Sequence, residues 1–206
     1  MVTGGTQRNV VEGNSIGTNA AGNARLGNGW YGVEISQPNN LVGGTSAAAR
    51  NVISANGYAG VVMYLTSSIG NKVEGNYIGT DSTGTKDLGN TGAGVDITNG
   101  AHGNTVGGSS ASMCNVIAGN DLFGVGIYNG ATANTVQGNR IGICSGGCAL
   151  LNTKSAVSVS SATGNTFKNN TMACCAGYNI VQFNSGGNTS TSNTLYSKVA
   201  EGLKLI

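Results

Sequence analysis

The strongest constraint on this chain is a segment that returns. Val11-Glu12-Gly13-Asn14-Ser15-Ile16-Gly17-Thr18 comes back as Val73-Glu74-Gly75-Asn76-Tyr77-Ile78-Gly79-Thr80, and again as Val136-Gln137-Gly138-Asn139-Arg140-Ile141-Gly142. The copies lie 62 and 63 residues apart, and a half-unit sits between them: Asn51-Val52-Ile53 and Asn115-Val116-Ile117. One apolar column makes the shorter period visible. Val11, Val42, Val73, Val106, Val136, Phe167 and Leu195 recur about every 31 residues. Each unit holds three short apolar pieces. One is the V-x-I pair (Val33/Ile35, Val61/Met63, Val95/Ile97, Val125/Ile127, Val157/Val159, Val181/Phe183), the second is the column above, and the third is Ile16, Ile53, Ile78, Ile117, Ile141 and Met172. The pieces follow period-two alternation, the pattern of strands with one face inward. Three strands per unit, with neither hairpin nor helix between them, predict a coil that buries its apolar face only by stacking on its neighbours. The expected fold is all-β: a right-handed, single-stranded parallel β-helix of about six coils.

Composition agrees with that reading. The 206 residues include 36 glycines, 27 asparagines and one proline, with 9% charged and 5% aromatic residues. Collagen needs glycine at every third position with abundant proline. Disorder needs low hydrophobicity with high net charge, whereas 39% is hydrophobic and the net charge is +2. Helices tolerate this much glycine and asparagine poorly. The scattered basic residues give no footprint for nucleic acid, and no apolar run reaches membrane-span length. The domain reading is one β-helix over 1–206: a partial first coil at 1–8, repeats at 9–196, and a C-terminal covering segment at 197–206.

Asn9, Asn40, Asn71, Asn104, Asn134, Asn165 and Asn193 each precede the second strand by two residues. Stacked at one corner, their amides can donate to one neighbour and accept from the other, so the column reads as a structural ladder rather than a ligand site. Gly32, Gly60, Gly94 and Gly124 precede the first strand, where a cheap turn is expected. Thr105, Thr135, Thr166 and Thr194 form a surface column, a pattern with an ice-binding reading, although threonine also suits exposed strands generally.

The repeat N-x-V-x-G-N-x-I with G-V-x-I resembles the right-handed parallel β-helix proteins of the pectate-lyase-like superfamily. Residues 79–90 and Ala49-Arg50-Asn51-Val52-Ile53 resemble repeat regions of large secreted or surface bacterial proteins. The resemblance covers about 9–196 and implies fold more than activity, since its members include polysaccharide lyases, hydrolases, epimerases, tailspikes and adhesins. Its hydrolases use a compact cluster of aspartates and its lyases use calcium-binding carboxylates with a basic residue; neither set is evident here.

The catalytic candidates are Glu34 and Asp96, on outward positions two coils apart. Twice the strand spacing puts them about 9.6 Å apart, near the upper end of the range for inverting glycosidases. Asp81 and Asp87 flank a loop and are weak calcium candidates; no other cofactor is implied. Lys72 and Glu74 are read as a surface pair, and His102 as a surface-loop residue. Trp30, Tyr31, Tyr58, Tyr64 and Tyr128 lie near coil edges and suit either turn packing or stacking on sugar rings. Aligning Ile141 with Met172 sets Cys144 over Cys175, within disulfide reach, and leaves Cys148 with Cys174 as a second bridge. Zinc is the rival reading of that cluster, and Cys114 has no assignment. Cysteine usage of this kind points to an oxidising compartment, extracellular or cell-surface. The two open ends of such a coil invite self-association. The functional reading is a noncatalytic β-helix module, structural or adhesive, with polysaccharide as a partner. The alternatives are a polysaccharide lyase or glycoside hydrolase acting on an acidic polysaccharide, and ice binding.

Overall fold

The computed structural model describes residues 7–174, 178–197 and 203–205. The chain is a three-sided parallel β-helix, built from three all-parallel sheets of seven strands each. The first sheet stacks Val10–Val11, Leu41–Gly43, Lys72–Glu74, Thr105–Gly107, Thr135–Gln137, Thr166–Lys168 and Thr189–Thr191. The second stacks Ser15–Ile16, Val52–Ile53, Tyr77–Ile78, Val116–Ile117, Arg140–Ile141, Thr171–Cys174 and Thr194–Ser197. The third stacks Val33–Ile35, Val61–Tyr64, Val95–Thr98, Val125–Tyr128, Val157–Ser160, Ile180–Phe183 and Leu203–Leu205. Among the described residues there is no α-helix, only a 3₁₀ turn at Ala111–Met113.

The core is a set of ladders. Val42, Val73, Val106, Val136 and Phe167 stack from the first sheet, and Ile53, Ile78, Ile117, Ile141 and Met172 from the second; all are essentially inaccessible to solvent. The third sheet adds two rows, Val61–Val95–Val125–Val157 and Met63–Ile97–Ile127–Val159. Adding a rung sandwiches the apolar faces of the rung before it, so burial accumulates along the axis.

All three corners carry an asparagine ladder. The first runs Asn9, Asn40, Asn71, Asn104, Asn134, Asn165, Asn188. The second runs Asn14, Asn51, Asn76, Asn115, Asn139, Asn170, Asn193. The third runs Asn28, Asn56, Asn90, Asn120, Asn152. Asn193 therefore belongs to the second ladder, and Asn188 closes the first. Each Oδ1 accepts both the backbone N–H and the Nδ2 of the preceding asparagine, as Asn115 does from Asn76 at 2.9 and 3.1 Å. In the second ladder, from Asn51 to Asn193, each Nδ2 also caps a strand carbonyl, as Asn76 does Val42 at 2.9 Å. A buried corner whose chain bends out of the sheet thereby finds partners for the ladder amides and the backbone N–H groups beside them.

Ladder spacing explains why alternate copies look alike. The first and second ladders are five residues apart on odd rungs (Asn9 to Asn14, Asn71 to Asn76, Asn134 to Asn139) and eleven on rungs two and four (Asn40 to Asn51, Asn104 to Asn115). The second and third are fourteen apart on rungs one and three but five on rungs two and four. The loop moves from one corner to another on alternate rungs, so the sequence repeats closely only after two turns.

The sixth rung departs from the period, and four expectations fail there. Its first-ladder step, Asn165 to Asn188, is 23 residues rather than about 31. Phe167 consequently pairs with Ser190, and Leu195 with Met172 on the second sheet. Thr189, not Thr194, continues the Thr105–Thr135–Thr166 column, while Thr194 sits beside Thr171. On the third sheet Ile180 and Gln182 take the inward positions, and Val181 and Phe183 face out. Residues 203–205 extend the third sheet as its last strand, beside Ile180–Phe183. Residues 1–6 and the rest of 198–206 lie outside the described residues.

The glycines before the third sheet serve proximity rather than turning. Gly94 is not in the left-handed region, yet a Cβ there would lie 2.4 Å from Ile117 Cγ2, 2.8 Å from Gly124 O and 2.9 Å from Asn120 Nδ2. Any side chain would collide with the next rung and the third ladder.

Candidate functional site

The outer face of the third sheet brings together most of the residues with chemistry. Register places Glu34, Val62, Asp96, Gly126, Ser158 and Val181 in one outward row. Glu34 and Asp96 thus stand two rungs apart, separated by buried Val62. Tyr64 donates its hydroxyl to Glu34, and that bond, ahead of desolvation, raises the phenol's pKa. Glu34, Tyr31, Val62, Tyr64 and Thr98 line a shallow depression of about 240 Å³.

Asp96 sits differently. It is 7% exposed, and its Oδ1 has no hydrogen-bond partner among the described residues. Burial pushes its carboxyl up to about 7, because the charged form loses its hydration without gaining a donor. The Tyr128 hydroxyl is equally orphaned, with Ser158 beside it making no hydrogen bond of normal geometry. Burial, then the nearby Asp96 charge, raises this phenol as well. Of three buried side-chain polar atoms without partners among the described residues, these two lie together, and the third is Asn179 Oδ1 on a later rung. Gly126 makes the arrangement possible. A Cβ there would lie 2.3 Å from Tyr128 Cε2 and 2.4 Å from both Asp96 Oδ1 and Tyr128 Oη. The tyrosine ring folds across the missing side chain toward the carboxyl. Asp96, Tyr128, Tyr58, Phe123 and Ser158 surround a cavity of about 200 Å³.

Aromatic rings flank these depressions. Trp30 is 70% exposed and Tyr58 43%. Tyr31 lies 6.3 Å from Trp30 and meets Tyr58 edge-on at 5.7 Å, while Phe123 lies 6.4 Å from Tyr128. Burial raises the Tyr31 phenol, with help from Tyr58, Glu34 and Asp96. No lysine or arginine lines either depression.

Other candidates separate from this face. Asp81 is a turn anchor. Its Oδ1 accepts the Thr85 and Lys86 N–H groups at 3.0 and 3.1 Å, and the Thr83 hydroxyl reaches both oxygens at 2.8 Å. Burial alone would raise its carboxyl, but these donors outweigh it and the net shift is downward. Asp87 accepts Gly89 N–H at 2.7 Å and pairs with Arg25 at 3.6 Å. The two carboxylates are engaged separately, and no group of three metal-ligating side chains occurs among the described residues. Lys72 and Glu74 form no ion pair; Lys72 is exposed while Glu74 is buried. His102 joins a column of single bridges with Ile69 and Thr132, its Nδ1 3.0 Å from Gly100 O.

The cysteine pairing is also corrected. Cys144 bonds to Cys148, with Cα atoms 5.2 Å apart, in place of the Cys144–Cys175 and Cys148–Cys174 bridges. The reason is local: Ile143 and Ala149 pair antiparallel, so the loop doubles back on itself. Cys174 is buried at the end of its strand beside Asn152, and Cys175 lies outside the described residues. Sequence reasoning found Glu34 and Asp96 but not the roles of Gly126 and Tyr128. The available signal was a glycine two residues before a tyrosine, in register with an outward aspartate. No family model, curated protein or solved structure matches this chain.

Proposed function

We propose that this protein is a noncatalytic, extracellular β-helix module that contacts neutral glycans through the outer face of its third sheet. The observation that carries this reading is the pair of orphaned buried atoms, Asp96 Oδ1 and Tyr128 Oη, on two residues that line a cavity walled by aromatic rings, where a turn of the Tyr128 ring off Gly126 would offer both to a ligand. One accepts and the other both donates and accepts, which suits a vicinal diol. The exposed faces of Trp30 and Tyr58 suit the apolar faces of sugar rings. Two carboxyls, with no lysine or arginine lining either depression, disfavour uronates there. The disulfide supports an oxidising compartment. The three-sheet coil and its ladders support kinship with the pectate-lyase-like proteins.

The test is a glycan array followed by calorimetry. Neutral oligosaccharides are expected to bind in preference to uronates, and Gly126→Ala and Tyr128→Phe are expected to weaken binding. Absence of any neutral-glycan binding, or binding indifferent to both substitutions, would overturn the reading.

One observation favours a second reading. A carboxyl that titrates near 7 opposite a second acid has the form of an acid/base pair for inverting hydrolysis. Turnover of any polysaccharide that is lost in both Asp96→Asn and Glu34→Gln would establish it.

A further inference from the structure

The loops inserted on the second and fourth rungs end in Arg50 and Cys114, each directly before a second-ladder asparagine. Arg50 leans onto the next rung. Its Nε donates to Gly75 O at 3.2 Å, and its guanidinium lies 4.3 Å over the Tyr77 ring. Arg140 projects from the outer face of the second sheet on the fifth rung, where its Nη1 donates to Ser145 O. Half-buried Cys114 lies on the rung between. Burial raises its thiol's pKa, and the charges of Arg140 and Arg50 both act on it in the opposite sense. These residues line a largely polar cavity of about 360 Å³, shared with Asn139 and Thr171.

No carboxylate lines the cavity. The one ion pair among the described residues, Arg25–Asp87, is elsewhere. Two permanently charged guanidiniums therefore converge on one polar hollow with no counter-charge from the protein. Each is already held by a carbonyl, and Arg50 by a ring as well, so a ligand would have little side-chain freedom to freeze. The remaining N–H groups of a guanidinium match the oxygens of an anion in charge and geometry.

We propose that this cavity on the second sheet is an oxyanion site, taking a carboxylate, sulfate or phosphate group between Arg50 and Arg140. It is independent of the third-sheet face, so either assignment can fail without the other.

The test is a ¹H–¹⁵N NMR titration at constant ionic strength, with inorganic phosphate in one arm and acetate in the other. Saturable shifts of the Cys114, Gly138 and Arg140 amides are expected. A stronger response to phosphate identifies a tetrahedral group, and a stronger response to acetate a planar carboxylate. Arg140→Gln and Arg50→Gln should each weaken the response about tenfold, the loss expected for one charge-assisted contact. Arg25→Gln, outside the cavity, should leave it unchanged. Arg140 is exposed, so its variant remains informative even where Arg50→Gln unfolds the loop. Absence of saturable shifts with both anions, or shifts undiminished in Arg140→Gln, would overturn the proposal.

Discussion

Asp96 shows how a single side chain can set a pH dependence. Its carboxyl titrates near 7 in the fold against an ordinary 3.8, so the folded chain holds the proton more tightly than the unfolded chain does. The resulting stabilisation is complete below about pH 4 and is lost as pH rises through 7. At about 1.4 kcal/mol per unit, the ceiling is about 4 kcal/mol. Unfolding of wild type and Asp96→Asn should therefore diverge between pH 4 and 8, with the variant the more stable at the alkaline end. Parallel curves would mean that the carboxyl is solvated. Gly126→Ala should cost about 1–2 kcal/mol by urea denaturation, because Tyr128 must leave its place over the glycine. The aspartate was legible as an outward acid. Its orphaned state was not, because only the fold of Tyr128 over Gly126 closes water away from it.

At the level of elements, the ladders are where stability concentrates. Asn115→Ala removes the acceptor of both Asn76 donors and the cap on Val73 O. All of these groups are buried, so the expected cost is about 3–5 kcal/mol. Asn14 occupies the equivalent place at the open end, where its side chain is exposed and only donates onward, and Asn14→Ala should cost about 1 kcal/mol or less. Equal losses in chemical denaturation would show that the ladder does not carry this energy. The Cys144–Cys148 bridge closes a short loop, so its reduction should cost no more than about 2 kcal/mol. Trypsin cleaves after Arg140 and Lys154. Without reduction, peptide 141–154 should be two hydrogens lighter than its dithiol form, whereas a bridge to the 174–175 pair would link it to a second peptide. The first ladder was legible through its constant distance to the strand. The second keeps the same offset, two residues before Ile16, Ile53, Ile78, Ile117, Ile141 and Met172, and the third lies five before Val33, Val61, Val95, Val125 and Val157, so both were equally open to reading once each strand column was fixed.

Over the whole molecule, each rung contacts only its neighbours, so stability is close to a sum of rung and interface contributions. Hydrogen exchange should be slowest on the middle rungs, where Val73, Ile78, Val95 and Val125 are fully buried, and fastest at Thr189–Thr191, whose residues are all exposed. Uniform protection along the axis would contradict this. The two proposed sites lie on different sheets, a separation that a solenoid permits because its faces need not share a cleft.

What the sequence determined by itself was the architecture. A period of about 31 residues, three alternating pieces per period and a fixed asparagine leave little but a stacked coil, since no single turn can bury its own apolar face. The inward columns followed directly from period-two alternation. The tertiary structure decided what depends on loop length and on contacts between rungs. The sixth rung's shorter step moved Asn193, Thr194 and Leu195 to other columns, although the local pattern around them fits either place. The Ile143–Ala149 pairing chose the disulfide. Cys114, Arg50 and Arg140 stand far apart in the chain, and Asp96 and Tyr128 are 32 residues apart. They come together only because successive rungs stack about 4.8 Å apart, which brings residues one to three turns distant in sequence onto one stretch of the same face.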